Sequence, residues 1–218
     1  PQALIMFYAV NAVGAIANMI HPLSAEGEIA FYLRDSNSVA AITLDQFYPK
    51  FKNVRKAVEL PTLIITSVSD ALTPVMKLGY AVTEKWKIPP VRKEEPVLPW
   101  KEFLRRGSHV ELFKVKRSKE DAAVILYSGG TTGVTKGILL SNFNFNALAA
   151  QIVATNPFFR PGDRMLAIMP MFHGFGLGVS IHSMIANGGR CILVPRFTPK
   201  TYAGLLRKHK PNLIAGVP

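Results

Sequence analysis

A single cysteine, Cys191, in 218 residues excludes any intramolecular disulfide framework. Stability must come from a packed core, and a reducing, cytoplasmic setting is expected. The thiol sits in the apolar run Cys191-Ile192-Leu193-Val194 and is expected to be packed rather than reactive. Acidic residues are also scarce, with 14 Asp and Glu against 26 Lys and Arg, a formal net charge of +12. Charged residues make up only 18% and hydrophobic ones 49%, which excludes a disordered polyampholyte and supplies ample core. Internal repeats and low-complexity tracts are absent.

The basic residues fall in scattered groups at 50–56, 85–93, 114–119 and 196–210. No aromatic-interleaved stripe or base-reading module accompanies them, so nucleic acid is not an expected partner. A polyanionic small molecule, or peripheral contact with an anionic membrane, fits the charge. Residues 3–20 carry no charge, but Asn11 and Asn18 are costly in lipid and Gly14 breaks the run. A buried helix followed by a buried strand is expected there. No basic leader precedes the run, so it is not read as a signal peptide.

Short apolar runs alternate with amphipathic stretches. Helices are expected over 3–11, from Ser24 as N-cap to about Ser36, over 46–58, 142–154 and 176–186, and over 198–208 with Thr198 as N-cap. Strands are expected over 14–20, 39–43, 62–66, 122–127, 138–140, 164–169, 190–194 and 212–215. Such alternation predicts an α/β fold with mostly parallel sheets flanked by helices. Over 70–119 the pattern degrades; it reads as an irregular connector or insertion, with one short helix near 101–106.

The most informative segment is Tyr127-Ser128-Gly129-Gly130-Thr131-Thr132-Gly133-Val134-Thr135-Lys136-Gly137. Its glycines let backbone N–H groups turn toward an anion unobstructed. Ser128, Thr131 and Thr132 add hydroxyl donors, and Lys136 adds a mobile positive charge. The combination suits the phosphates of a nucleotide. A Walker loop is excluded, because Lys136 lies three residues after Gly133 and is followed by Gly137. A dinucleotide fingerprint is excluded too, because a strand-like run follows where a helix should. A polar hairpin with no ligand is the remaining reading.

The segment resembles the phosphate loop of the acyl-adenylate-forming superfamily, whose usual pattern is Tyr-(Thr/Ser)-Ser-Gly-(Thr/Ser)-Thr-Gly-x-Pro-Lys-Gly. Gly129 stands where Ser is usual and Thr135 where Pro is usual. The resemblance extends to Gly14 through Leu23, to Leu140-Ser141-Asn142 with Asn142 in place of His, and to Lys210 through Pro218. Met169-Pro170-Met171-Phe172-His173-Gly174-Phe175-Gly176 is similar to the family's second shared motif, at the mouth of the acyl pocket. Only 70–119 has no clear counterpart.

The resemblance implies a two-step ligase. A carboxylate attacks the α-phosphorus of ATP, and coenzyme A then takes the acyl group from acyl-AMP. It implies that Ser128, Gly129, Gly130, Thr131, Thr132, Gly133 and Lys136 bind phosphates. It further implies that Lys136 and His173 act in catalysis, and that His173, Gly174 and Phe175 line the acyl pocket. ATP, magnesium, coenzyme A and a carboxylic acid, a fatty acid among the candidates, are the implied cofactors and partners. No metal ligand is assigned in this chain. The chain is expected to be part of an amino-terminal AMP-binding domain, inactive alone, with the carboxy-terminal domain absent. A carrier-loading adenylation domain, or a basic interaction module with a vestigial loop, are the alternatives. His21, His109, His182 and His209 are read as structural or surface residues.

Overall fold

The computed structural model describes residues 1–91, 96–108, 111, 115–128, 135–194 and 197–217. They fall into two units, Pro1–Val115 and Lys116–Pro218.

The first unit opens on helix α1 (Gln2–Ala12), which buries Gln2, Leu4 and Phe7. Gly14, at φ +84°, turns the chain out of it toward strand β1 (Ala17–Met19). The Asn18 amide nitrogen donates to Ser36 Oγ (2.7 Å) and Ser38 Oγ (3.3 Å), while its Oδ1 is buried with no hydrogen-bond partner among the described residues. Helix α2 runs Glu26–Asp35 with Ala25, not Ser24, as its N-cap. The Glu28 carboxylate reaches back to the Ala25 N–H (3.0 Å), so half of a capping box forms without a hydroxyl at the cap. Strand β2 (Ala40–Leu44) pairs in parallel with β3 (Thr62–Thr66), and β3 with β4 (Leu98–Pro99). A 3₁₀ turn at Asp45–Phe47 leads into α3 (Tyr48–Ala57). The core joins Ile29, Ala30 and Leu33 of α2 to Phe51 and Val54 of α3 and Leu63 and Ile65 of β3.

Among the described residues of the segment expected to be irregular, two α-helices form. Helix α5 (Trp100–Gly107) matches the short helix expected near 101–106. Helix α4 (Pro74–Thr83) was not expected, and its apolar residues do not face a core. It starts with Pro74 at N1, where the ring costs no hydrogen bond.

The second unit begins with β5 (Ala122–Ser128), paired antiparallel with β6 (Lys136–Ser141). Helix α6 (Asn142–Thr155) follows directly. Ser141 caps it: its Oγ accepts from Asn144 N (3.2 Å) and Asn144 Oδ1 accepts from Ser141 N (2.8 Å). Strand β7 (Arg164–Ala167) lies between β8 (Arg190–Leu193) and β9 (Leu213–Ile214), parallel to both. Helix α8 (Pro199–His209) has Thr198 as its cap, as expected. Asn212 fixes the start of β9: its N–H donates to Arg164 O (2.8 Å), and its Oδ1 accepts from Arg164 N (3.0 Å). The α/β class and the mostly parallel pairing agree with the sequence reading; the β5–β6 hairpin is an antiparallel exception.

The expected helix over 176–186 takes another form. Residues Phe175–His182 make a π-helix, and only Ser183–Ala186, α7, is α-helical. The wider turn puts a carbonyl five residues back within reach. Ser183 Oγ donates to Gly178 O at 2.7 Å.

Candidate active site

The first motif hangs on the β5–β6 hairpin. Strand β5 is anchored by Val124, fully buried, and Leu126, while Ser128 ends the strand partly exposed. Ser128 and Lys136 face each other as register partners at the hairpin mouth. Lys136 is exposed. A hydroxyl and an ammonium thus flank one opening, a pairing suited to phosphate oxygens. The remaining expected phosphate residues, Gly129, Gly130, Thr131, Thr132 and Gly133, lie outside the described residues. The strand-like run after the loop, which argued against a dinucleotide fingerprint, is β6.

The second motif is the turn after β7, the middle strand of its sheet. Pro170 O accepts from His173 N (3.2 Å), and His173 O accepts from Leu177 N (2.9 Å), so the turn runs straight into the π-helix. His173 is exposed, and its Nδ1 accepts from Phe175 N at 3.2 Å. That bond assigns the proton of the neutral ring to Nε2, which becomes the outward donor. Residues at the carboxyl end of a parallel strand are where α/β sheets bind ligands.

Two glycines decide how tightly this turn is held, and the sequence reading gave neither that role. A Cβ at Gly176 would lie 2.0 Å from Pro170 O and 2.8 Å from Met169 O, so only glycine fits. A Cβ at Gly178 would lie 2.8 Å from Leu148 Cδ2, which brings the π-helix close against α6. Gly174 faces the other motif: a Cβ there would be 3.4 Å from Leu126 Cδ1 of β5. The structure therefore brings the His173 turn against the strand that carries Ser128.

Two further side chains lie near this framework. His182 Nε2 is 3.1 Å from Asn146 Oδ1 of α6, and Phe145 meets the imidazole edge-on at 5.4 Å between ring centres. Burial pushes the His182 pKa below its ordinary value. Cys191 is half-buried and donates weakly to Ser180 O (3.5 Å) and Ile181 O (3.6 Å). Burial pushes its pKa up to about 11, so the thiol is packed and protonated, as the apolar run implied. A groove along α5, lined by Leu98, Phe103 and Leu104, contains none of the motif residues. Among the described residues no group of three or more His, Cys, Asp or Glu could hold a metal ion.

Comparison with known proteins decides the family. The AMP-binding enzyme family matches residues 1–218. The chain belongs to the AMP-binding enzymes. A relative, the long-chain-fatty-acid–CoA ligase of Bacillus subtilis (strain 168), is 31% identical over 221 aligned residues, covering 100% of this AMP-binding chain and 40% of the relative. Among solved structures, a long-chain-fatty-acid–CoA ligase from Archaeoglobus fulgidus superposes with a TM-score of 0.75 at 25% identity, over 97% of this chain and 36% of that one. The anthranilate CoA ligase solved with anthranoyl-AMP shares the fold, with a TM-score of 0.76 at 23% identity, over 95% of this chain and 36% of that one. This AMP-binding chain thus spans well under half the length of the proteins it resembles.

Proposed function

We propose that the complete protein activates a carboxylic acid of the fatty-acid class as acyl-AMP and transfers the acyl group to coenzyme A. The observation that carries this reading is the approach of the His173 turn to β5, with Gly174 against Leu126 two residues before Ser128. In this reading the Ser128–Lys136 pair receives an anion and His173 supplies a hydrogen bond, both from the same unit. The fatty-acid–CoA ligase of Bacillus subtilis, matched over the whole chain, supports the choice of acid and thiol over carrier loading. A vestigial loop is disfavoured because Ser128 and Lys136 remain directly opposed.

In this reading the Lys136 ammonium and the Ser128 hydroxyl hold β- and γ-phosphate oxygens, with the loop glycines between them. His173 Nε2–H donates to the substrate carboxylate or to the forming adenylate. A carboxylate oxygen attacks the α-phosphorus and pyrophosphate leaves; the thiol then attacks the acyl carbon and AMP leaves. Both residues stabilise charge that grows in the transition state, which is what raises the rate. Magnesium would accompany the ATP phosphates to screen their charge. The proposal includes a cytoplasmic setting, supported by the lone cysteine, and peripheral contact with anionic membrane, supported by the +12 charge. Among the described residues no helix is long and apolar enough to cross a membrane.

The test is acid-dependent ATP–pyrophosphate exchange by the full-length protein with a panel of fatty and aromatic acids, followed by coenzyme A-dependent release of AMP. His173→Ala should slow exchange about a hundredfold to a thousandfold with little change in ATP affinity. Absence of exchange with every acid would overturn the proposal, and wild-type exchange in His173→Ala would return that residue to a structural role.

A further inference from the structure

Gly174, Gly178 and His182 are spaced by four along the π-helix and the turn before it, and all three face one block of structure. A Cβ on Gly174 would meet Leu126 Cδ1 of β5 at 3.4 Å, and one on Gly178 would meet Leu148 Cδ2 of α6 at 2.8 Å. His182, the last π-helical residue, places Nε2 3.1 Å from Asn146 Oδ1 of α6. The block is therefore β5, β6 and α6. Ser141 both ends β6 and caps α6, so no loop separates the strand of Lys136 from the helix of Asn146.

At its other end the π-helix is continuous with the His173 turn, because Leu177 N donates to His173 O at 2.9 Å. Near its end Gly178 O takes both the N–H and the Oγ–H of Ser183, which ties His182 into the same helix. A rotation or slip of this helix on α6 thus moves His173 relative to Ser128 and Lys136. The glycines set how closely the helices approach, but apolar contact is non-directional. A hydrogen bond is directional and fixes both rotation and axial position. Of the three facing residues only His182 has a side chain able to make one. Asn146 Oδ1 can only accept, so His182 Nε2 carries the proton. The buried Phe145 ring stands at 83° to the imidazole, 5.4 Å between centres, and covers one side of it.

We propose that His182 and Asn146 are positioning residues for adenylate formation: their bond fixes the π-helix on α6 and so sets His173 against the Ser128–Lys136 hairpin mouth. The effect on rate rests on the ligase reading; the geometry from Asn146 to His173 stands without it.

The test compares the full-length protein with Asn146→Ala, His182→Ala, the double variant, His182→Gln and Asn187→Ala. Glutamine brings an amide N–H within reach of Asn146 Oδ1 and keeps the bond. Asn187→Ala is the structural control: Asn187 Nδ2 donates to Ala149 O of α6 at 3.3 Å, but from beyond α7. In acid-dependent pyrophosphate exchange, each alanine variant of the pair should lower kcat up to about a hundredfold with the KM for ATP unchanged. Independent contributions would multiply, whereas this double variant should match the slower single one within about twofold. His182→Gln should restore the rate, and Asn187→Ala should keep it while losing thermal stability. A second readout needs no turnover. The isotope-labelled Cε1–H resonance of the His173 imidazole, assigned by its loss in His173→Gln, should shift in Asn146→Ala and His182→Ala. It should stay in place in His182→Gln and Asn187→Ala. An unmoved resonance in either alanine variant of the pair overturns the inference. So does an Asn187→Ala protein whose resonance or rate changes as much, since the pair is then ordinary packing. A resonance that shifts as expected in a parent protein showing no exchange with any acid removes the ligase reading and upholds the positioning of His173.

Discussion

Replacing Gly176 by alanine adds one methyl group at a place where backbone already stands. The new Cβ would lie 2.0 Å from Pro170 O, 2.6 Å from Pro170 C and 2.8 Å from Met169 O. Ordinary contact begins near 3.4 Å, so the chain must part by about 1 Å, and no flexible side chain can yield instead. Pro170 O also accepts the His173 N–H at 3.2 Å, so moving it moves the turn. Overpacking against backbone should cost about 2–3 kcal/mol. Displacing His173 by about 1 Å should slow adenylation about a hundredfold. Gly204→Ala is the control, since nothing lies within 4 Å of its Cβ in α8. That change should stabilise by about 0.5–1 kcal/mol. Urea unfolding and pyrophosphate exchange on both variants of the full-length protein supply the measurements. A Gly176→Ala protein as stable and as active as its parent would refute the claim that this contact sets the turn.

Three further outcomes are expected. Lys136→Ala should lose a charge-assisted phosphate contact worth roughly 1.5–3 kcal/mol, seen as a raised KM for ATP in pyrophosphate exchange; an unchanged KM removes Lys136 from the phosphate site. Cys191, with its pKa near 11, should react slowly with iodoacetamide at pH 8 in the native state and at an ordinary rate in urea; equal rates would contradict its burial. His182 has a lowered pKa in the folded state, so the unfolded chain binds its proton more readily. Stability should therefore fall as pH drops below about 6.5. His182→Gln should flatten that part of the stability–pH curve, and a curve unaltered by the change would assign the slope to other groups.

Much of the fold could be read from local pattern. Strand β3 occupies 62–66 as expected, because five apolar or β-branched residues are bounded by turn signals. Thr198 caps α8 for the reason its hydroxyl suggested: it accepts from Thr201 N at 3.3 Å. The misses have physical causes. Helix α4 escaped because its apolar residues point outward, so periodicity gave no core face to recognise; Pro74 after Thr73 was the available signal. The π-helix escaped because it depends on glycines whose neighbours, Pro170 and Leu148, are brought up by tertiary packing. Ala25 caps α2 because the partner that matters is Glu28, three residues on, and not the hydroxyl of Ser24. At the site, the hydroxyl–lysine pair and the histidine were legible as residue types at motif spacing. The proton position on His173 was not, since it follows from a bond to Phe175 N that only the folded turn creates.

Strand β7 has both its neighbours later in the chain: β8 begins at Arg190 and β9 at Leu213. During synthesis its buried residues Met165, Leu166 and Ala167 emerge from the ribosome with no partner strand yet made. They must wait through the π-helix and α7 for one edge to be covered and through α8 for the other. Non-local pairing of this sort is slow and leaves apolar surface open to chaperones and to aggregation meanwhile. The two bonds between Asn212 and Arg164 are then a closing step. The turn bearing His173 is translated before both partner strands, so the sheet beneath it is complete only after Ile214 has been made.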